Sequence, residues 1–253
     1  MAISRNRIYL CGRLVVEFEG ERREAGLPGR QGRLTLAYLL LNRHRPVGRY
    51  ELMDGLWRDE PPGDPETSLS AVLSKVRKRI EPATIEGRSE LELRLPEQTW
   101  IDLDAAESAL HRAQSANAQQ RWHEAWSPAR VALHVAARGL LVGLDAHWLD
   151  EPRNHLLELH LSSLEVYAEC CLGIGGTEID AALRAGRLLI ERASYRESGY
   201  RLLMRALAAD GNPAEGLRVY EDLRGHLRDE LGVSPGPETQ RIHAELLRLC
   251  EPA

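Results

Sequence analysis

Apolar residues between Asp64 and Ile80 recur at the spacing of one face of an α-helix. The positions are Leu69, Val72, Leu73, Val76 and Ile80. Asp64 can accept hydrogen bonds from the free N–H groups of a first helical turn, and Pro65 suits that turn because its missing N–H is not needed there. The pattern predicts an amphipathic helix that begins directly after Asp64.

The opposite face of this predicted helix combines small and hydroxyl side chains with cations. Its members and flanking residues are Thr67, Ser70, Ala71, Ser74, Lys75, Arg77 and Lys78, and they include the only two lysines of the chain. A helix that enters a DNA major groove needs small residues for close approach, hydroxyls for hydrogen bonds and cations for phosphates. An ordinary solvated surface helix has a similar pattern, so this helix alone leaves both interpretations open.

Short β-prone runs and two further helices surround it. Strands are predicted at 8–10 and 14–18, helices at 31–43 and 49–57, and a β-hairpin from 84–85 and 91–95. In the hairpin Leu91 and Leu93 alternate with Glu90, Glu92 and Arg94, so one face is expected to pack inward. Trp100-Ile101 is expected to continue that sheet. Strands, three helices and a hairpin predict a winged helix.

The second half carries helical periodicity almost throughout. Helices are predicted at 105–118, 121–138, 149–172, 178–193, 196–210, 213–231 and 237–249. Ala182-Leu183 and Gly216-Leu217 are 34 residues apart, the period of tetratricopeptide repeats. The predicted fold is therefore mainly α with a small antiparallel β part: an N-terminal winged helix-turn-helix in residues 1–102, followed without a flexible linker by an all-α, tetratricopeptide-like domain in residues 103–253.

Charge is distributed unevenly between these two parts. The chain of 253 residues has a net charge of −5, yet residues 1–101 carry 17 Lys+Arg and 15 Asp+Glu, whereas residues 102–253 carry 16 and 23. The first part is thus +2 and the second −7, which fits a nucleic-acid partner for the first part only weakly. The hypothesis of a nucleic-acid partner therefore depends on where the cations lie along the chain.

The sequence gives little support for catalysis, for a metal or cofactor site, or for membrane insertion. No catalytic constellation, phosphate-binding loop or metal-ligand spacing stands out among the histidines and the four cysteines, so we expect no enzyme, no metal and no cofactor. The first ten residues lack the pattern of a signal peptide, and no apolar run approaches the ~20 residues of a membrane span. A cytoplasmic protein without a membrane partner is expected.

Several segments resemble one family of regulators. Arg30-Gln31-Gly32-Arg33 before Leu36-Ala37-Tyr38-Leu39, then Leu56-Trp57, the Pro61-Pro62 loop and residues 73–78, are similar to the OmpR-type winged helix of SARP or AfsR-like regulators. Residues 209–217 and 229–238 resemble the bacterial transcriptional activation domain that follows it in that family. The resemblance covers roughly residues 8–250.

The resemblance implies a sequence-specific DNA-binding transcriptional activator. It would bind promoter direct repeats in double-stranded DNA as a homodimer and recruit RNA polymerase through its sigma or alpha subunit region. The expected DNA-binding residues are Thr67, Ser70, Ala71, Ser74, Lys75, Arg77, Lys78, Arg88 of the wing, Arg30 and Arg33. The expected polymerase contacts are Arg58, Asp59 and Glu60 in the loop at 58–63.

Two features depart from the family pattern. Glu90 and Glu92 make the wing strand acidic, and Ala71 offers only a methyl group to a base. They keep a second hypothesis open, in which the chain is a helical-repeat scaffold or a signal-binding regulator with a degenerate winged helix. The clustered lysines argue against this alternative.

Overall fold

The computed structural model describes residues 6–58 and 60–251 of the chain. The strands are β1 (Arg7–Tyr9), β2 (Val15–Phe18), β3 (Glu21–Arg22), β4 (Val47–Gly48), β5 (Thr84–Glu86), β6 (Glu90–Arg94) and β7 (Trp100–Ile101). The helices are α1 (Gly29–Leu41), α2 (Arg49–Trp57), α3 (Pro65–Arg79), α4 (Asp102–Ala118), α5 (Trp122–Ala136), α6 (Asp150–Ile174), α7 (Ile179–Arg192), α8 (Glu197–Ala209), α9 (Pro213–Leu231) and α10 (Pro237–Cys250).

The N-terminal sheet has the strand order β3-β2-β1-β7. Its pairs are antiparallel except for β1 and β7, which run parallel with Ile8 opposite Ile101. The expectation that Trp100-Ile101 extends the hairpin sheet was therefore wrong. A run of two apolar residues does not encode its partner strand, and pairing with β1 buries Ile101 beside Ile8.

Helices α1, α2 and α3 pack with a second sheet, of order β4-β6-β5, into the predicted winged helix. The apolar stripe of each helix faces one core, as the helical period requires. The fully buried residues of this core include Leu36, Leu39, Leu40, Leu52, Leu69, Leu73, Val76, Ile80 and Leu91. Val47 pairs with Leu91 and so adds to the hairpin a strand that is absent from the predicted elements.

A polar cluster fixes the start of α2 against α1. Glu51 accepts hydrogen bonds from the Tyr38 hydroxyl at 2.6 Å and from Arg45 at 3.0 Å. Hydrogen bonding from Arg45 holds the pKa of Glu51 down to about 2, and burial raises the pKa of Tyr38 to about 12. At neutral pH the carboxylate is therefore charged and the phenol neutral, which is the combination that these hydrogen bonds need.

Asp102 connects the sheet to the first long helix. Strand β7 ends at Ile101 and α4 begins at the next residue, so no flexible linker separates them. The buried carboxylate of Asp102 accepts hydrogen bonds from the N–H groups of Leu10 at 2.7 Å and Cys11 at 3.1 Å. Burial raises the pKa of Asp102, while these backbone donors oppose that rise because they favour the charged form.

The C-terminal helices pack in sequence order, α7 on α8, α8 on α9 and α9 on α10. Ala182 and Gly216, the two positions 34 residues apart, are both buried in the first helix of their pairs, α7–α8 and α9–α10. A Cβ atom at Gly216 would meet the Leu246 Cδ1 atom at 2.9 Å, so close helix approach requires a small residue there. The tetratricopeptide-like prediction is confirmed.

The chain divides into two compact units. The first comprises the residues up to Ala105 together with Val135–Leu157, and the second comprises Ala106–His134 and the residues from Glu158 onward. The boundary predicted at residue 102 separates two sets of sequence motifs, whereas these units are separated by packing. The predicted boundary therefore stays a prediction. The chain passes from one unit to the other within α4, α5 and α6.

Membrane-spanning helices and metal clusters are both absent from the described residues. No helix in the described part of the chain is both long and apolar enough to cross a bilayer. The described residues also contain no group of three His, Cys, Asp or Glu side chains arranged to hold a metal ion. Cys170 and Cys171 are buried thiols, and burial raises the pKa of Cys170 to about 12 and of Cys171 to about 11, which keeps both protonated at neutral pH.

Candidate nucleic-acid interface

The first turn of α3 is fixed by a side-chain cap. Asp64 accepts a hydrogen bond from the Thr67 N–H at 3.0 Å and another from the Thr67 hydroxyl at 2.6 Å. These bonds, led by the one from the Thr67 side chain, hold the pKa of Asp64 below its usual value. Pro65 occupies the first helical position, as predicted. Thr67 is exposed, but its hydroxyl proton is already directed to the cap.

The two faces of α3 are as sharply divided as the sequence pattern predicts. Leu69, Leu73 and Val76 are fully buried against the core. The exposed side chains of the opposite face are Glu66, Thr67, Ser70, Ala71, Ser74, Lys75 and Lys78. One continuous face of the helix is therefore open to a partner, with small groups in its middle and cations toward its C-terminal half.

Lys75 and Lys78 supply the charge of that face. Both are exposed, and neither forms an ion pair with a residue in the described part of the chain. Glu66, the carboxylate within the first turn of α3, is instead paired with Arg49 at 2.8 Å. The negative charge near the helix start is thereby offset, and the lysines remain available for phosphate groups.

The start of α2 lies against this face. Arg49, the first residue of α2, donates hydrogen bonds to the Ser70 hydroxyl oxygen at 2.8 Å and to the Glu66 carboxylate at 3.0 Å. The next residue, Tyr50, is 83% exposed. Sequence reasoning missed Arg49 and Tyr50. A large aromatic residue outside the apolar stripe of α2, which Leu52 and Leu56 define, was the signal that could have found Tyr50.

Arg77 has a different environment from its neighbours. Its side chain is partly buried, and its guanidinium donates to the carbonyl oxygens of Ile85 at 2.9 Å and Gly87 at 3.5 Å. These contacts attach the last turn of α3 to the β5–β6 hairpin. The predicted DNA contact of Arg77 stays a prediction, and its observed contacts are those of a residue that positions the hairpin.

The hairpin turn presents Arg88 to solvent. Gly87 has φ +90°, and a Cβ atom there would lie 1.8 Å from the carbonyl oxygen of Glu90, so only glycine fits. Arg94 forms ion pairs with Glu86 at 2.7 Å and Glu92 at 3.1 Å. The wing strand is therefore less acidic in effect than its sequence indicates.

Arg30, the first of the two predicted arginines of α1, lies beside the loop that follows α2. Arg30 and Arg33 are exposed, and Arg30 donates a hydrogen bond to the carbonyl oxygen of Asp145 at 2.5 Å. Arg30, Arg58 and Glu60 line a common cleft of about 370 Å³, together with Gln31, Leu34, Trp57 and His147 among others. Asp59, the third residue predicted to contact polymerase, lies outside the described residues.

Comparison with known proteins gives the family. The profile of the bacterial transcriptional activator domain matches residues 101–247. The chain is 32% identical over 237 residues to the regulatory protein AfsR of Streptomyces coelicolor, covering 93% of this chain and 23% of that protein. It is 27% identical over 248 residues to the transcriptional regulatory protein EmbR of Mycobacterium tuberculosis, covering 94% of this chain and 62% of EmbR.

The fold has a solved counterpart. The structure of Mycobacterium tuberculosis EmbR in complex with a low-affinity phosphopeptide matches with a TM-score of 0.84 and 24% identity, over 98% of this chain and 66% of that chain. This chain thus spans about a quarter of AfsR and somewhat less than two thirds of EmbR. The relatives of this chain that are named above are transcriptional regulators of the SARP type, and the chain belongs to the bacterial transcriptional activator domain family.

Proposed function

We propose that this chain is a sequence-specific DNA-binding transcriptional activator that reads the major groove with α3. The observation that carries the proposal is the exposed face of α3, where Ser74, Lys75 and Lys78 are open to solvent opposite a fully buried stripe. Hydroxyl groups and a methyl group can contact base edges at close range, and the lysines can pair with phosphates.

Neighbouring elements add phosphate contacts on either side of α3. Tyr50 at the start of α2 offers a phenol, and Arg88 offers a cation at the tip of the wing. Arg30 and Arg33 extend the set along α1. Binding of two copies to promoter direct repeats is the part of the proposal that rests on resemblance to the family.

A binding experiment tests the DNA contact. Duplexes enriched by the purified chain from a random library would be titrated by fluorescence anisotropy with the wild type and with the Lys75→Ala, Lys78→Ala double variant. We expect the variant to bind at least about tenfold more weakly, because charge-assisted hydrogen bonds contribute roughly 1.5–3 kcal/mol each. The control Arg218→Ala removes an exposed cation from α9 and should leave affinity within about twofold.

Equal affinity of the wild type and the double variant would contradict DNA reading by α3. That result would favour the alternative in which the chain is a helical scaffold or signal-binding regulator with a degenerate winged helix. Circular dichroism of each variant checks that the fold is intact, since both lysines lie opposite the buried stripe.

We also propose that the loop between α2 and α3 contacts RNA polymerase. Arg58 and Glu60 are exposed, and Pro61-Pro62 stiffens the segment that follows them. Joining two helices requires neither this length nor both charge signs. The alanine triple variant at Arg58, Asp59 and Glu60 should keep operator affinity within about threefold, because these residues are not expected to touch bases. Transcription by purified polymerase should fall much further.

Two results would revise this part of the proposal. A parallel loss of binding and transcription would place the loop in the DNA interface. Unchanged transcription would remove the loop from the polymerase contact and leave the helical part of the chain as the candidate.

A further inference from the structure

A basic surface lies along helices α4 and α5 in the second unit, apart from the residues assigned above. It consists of two adjoining clefts of about 610 Å³ and 250 Å³ that share Ser127 and Val131. The lining residues used below are His111, Arg112, Arg121, Arg130, His134 and Val131. We call this surface the α4–α5 groove.

The charge of the groove is opposite to that of its surroundings. Residues 102–253 have 16 Lys+Arg against 23 Asp+Glu, yet the groove lining contains three arginines and two histidines. Its single lining carboxylate, Glu124, already forms an ion pair with Arg121. An anionic partner is therefore attracted here although it is repelled by most of this part of the chain.

Apolar groups accompany these cations. Val131 is 46% exposed at the point where the two clefts meet, and Pro128 lies one turn before it. The Arg130 guanidinium lies 4.3 Å from the ring centroid of Trp126, whose Nε1–H donates to Glu178 at 3.1 Å. The indole is thereby held in place, and its contact holds Arg130 in the cleft that Val131 also lines.

We propose that the α4–α5 groove binds an acidic peptide segment of a protein partner, with an apolar side chain seated at Val131. Carboxylates on either side of that side chain would pair with Arg112 and Arg130. Duplex DNA fits less well, because its phosphate backbone provides no apolar group for the exposed Val131 side chain. Arginine and tryptophan beside an apolar contact are the residue types that dominate binding energy at protein interfaces.

A designed probe tests this proposal on the full chain. The probe is a fluorescein-labelled peptide in which a Leu-Phe pair is flanked by glutamates on both sides, and its affinity is measured by anisotropy. We expect saturable binding that weakens with salt, at least about tenfold loss in the Arg112→Glu, Arg130→Glu double variant, and a smaller loss in Val131→Ser. A probe with glutamines in place of glutamates should bind much more weakly.

Matched variants separate the groove from general electrostatics and from folding. Arg218→Glu makes the charge change of one groove substitution at an exposed position on α9 and should leave probe affinity within about twofold. The Arg112→Gln, Arg130→Gln variant removes the charges without introducing new ones and should lose affinity with an unchanged thermal midpoint. None of these changes should reduce operator binding by more than about twofold, so failure here is distinguishable from failure of α3.

Three outcomes would overturn the proposal. One is the absence of saturable probe binding by the wild type. Another is equal weakening by Arg218→Glu and by the groove variants, which would mean non-specific attraction. The third is displacement of the probe by operator duplex together with loss of operator affinity in the groove variants, which would assign the surface to DNA.

Discussion

Two adjacent residues at the end of α3 have different surroundings. Arg77 donates hydrogen bonds to carbonyl oxygens of the hairpin, whereas Lys78 is exposed on the opposite face from the core. Both are cations separated by one peptide bond, so their variants form a natural pair. We therefore expect the Arg77 substitution to affect stability and the Lys78 substitution to affect DNA affinity.

Lys78→Ala should weaken DNA binding and reduce the slope of log affinity against log salt by about 1, because one phosphate contact releases about one counterion. Its unfolding free energy should stay unchanged. Arg77→Ala should lower the unfolding free energy by about 1 kcal/mol, since it removes hydrogen bonds to two backbone carbonyls. Urea titrations and salt-dependent anisotropy measure both quantities, and a slope unchanged by Lys78→Ala would remove this residue from the interface.

For individual residues of α3, the sequence predicted which side chains face away from the core but not which contacts each one forms. The 3.6-residue period alone determines which face of α3 each residue occupies. Every residue assigned to the apolar stripe from Leu69 to Ile80 is buried or partly buried. The contacts of Arg77 depend on where the hairpin carbonyls lie, and those of Ser70 depend on Arg49 in another helix. Such partners are set by tertiary packing and have no signature in local spacing.

The wing is an element whose geometry depends on one turn residue. Gly87→Ala should lower the unfolding free energy by about 1–3 kcal/mol, because the turn needs positive φ and the new Cβ would overlap the Glu90 carbonyl oxygen. The matched control is Gly225→Ala in α9, where nothing lies within 4 Å of the added Cβ. That change should raise stability by up to about 1 kcal/mol.

Thermal or urea unfolding of both glycine variants gives the comparison. Equal effects of the two substitutions would mean that the hairpin turn adopts another conformation in solution. A loss of DNA affinity confined to Gly87→Ala would further support a contact between the wing and the duplex.

For whole elements, long helices were predicted closely, whereas the two-residue strands were either missed or assigned to the wrong partner strand. The bounds of α2 and α9 agree with the prediction, and the other helices differ by up to three residues at either end. Helix ends have local signals such as Asp64, Pro65 and Pro213. Strands β4 and β7 are defined only by partners far along the chain, Leu91 for one and Ile8 for the other.

At the scale of the whole molecule, the question is whether the two units unfold together. Val76 is fully buried in the winged-helix core, so Val76→Asp should cost several kcal/mol by placing a charge there. We expect amides of α1 and α3 to lose protection from hydrogen exchange while those of α7 to α10 keep it. Loss of protection throughout would show that the units form one cooperative structure.

The division into two packing units is the feature of the fold that the sequence pattern indicates least. Residues 135–157 follow the winged helix by more than thirty positions, yet they belong to the same compact unit. The backbone pairing of Cys11 with Leu140 and the hydrogen bond from the Trp148 Nε1–H to the Gly55 carbonyl at 3.0 Å illustrate the contacts that place them there. Periodicity identifies helices, but it does not show which distant segment completes a core.

In vitro selection of DNA sites by the wild type and by α3 variants tests most directly whether α3 reads bases. If α3 reads bases, the wild type enriches a defined motif, Ser74→Ala relaxes preference at one position of each half-site, and Lys78→Ala weakens binding without changing the motif. Base reading by α3 would be contradicted if no motif is enriched, or if the motif and affinity are the same for the wild type and both variants.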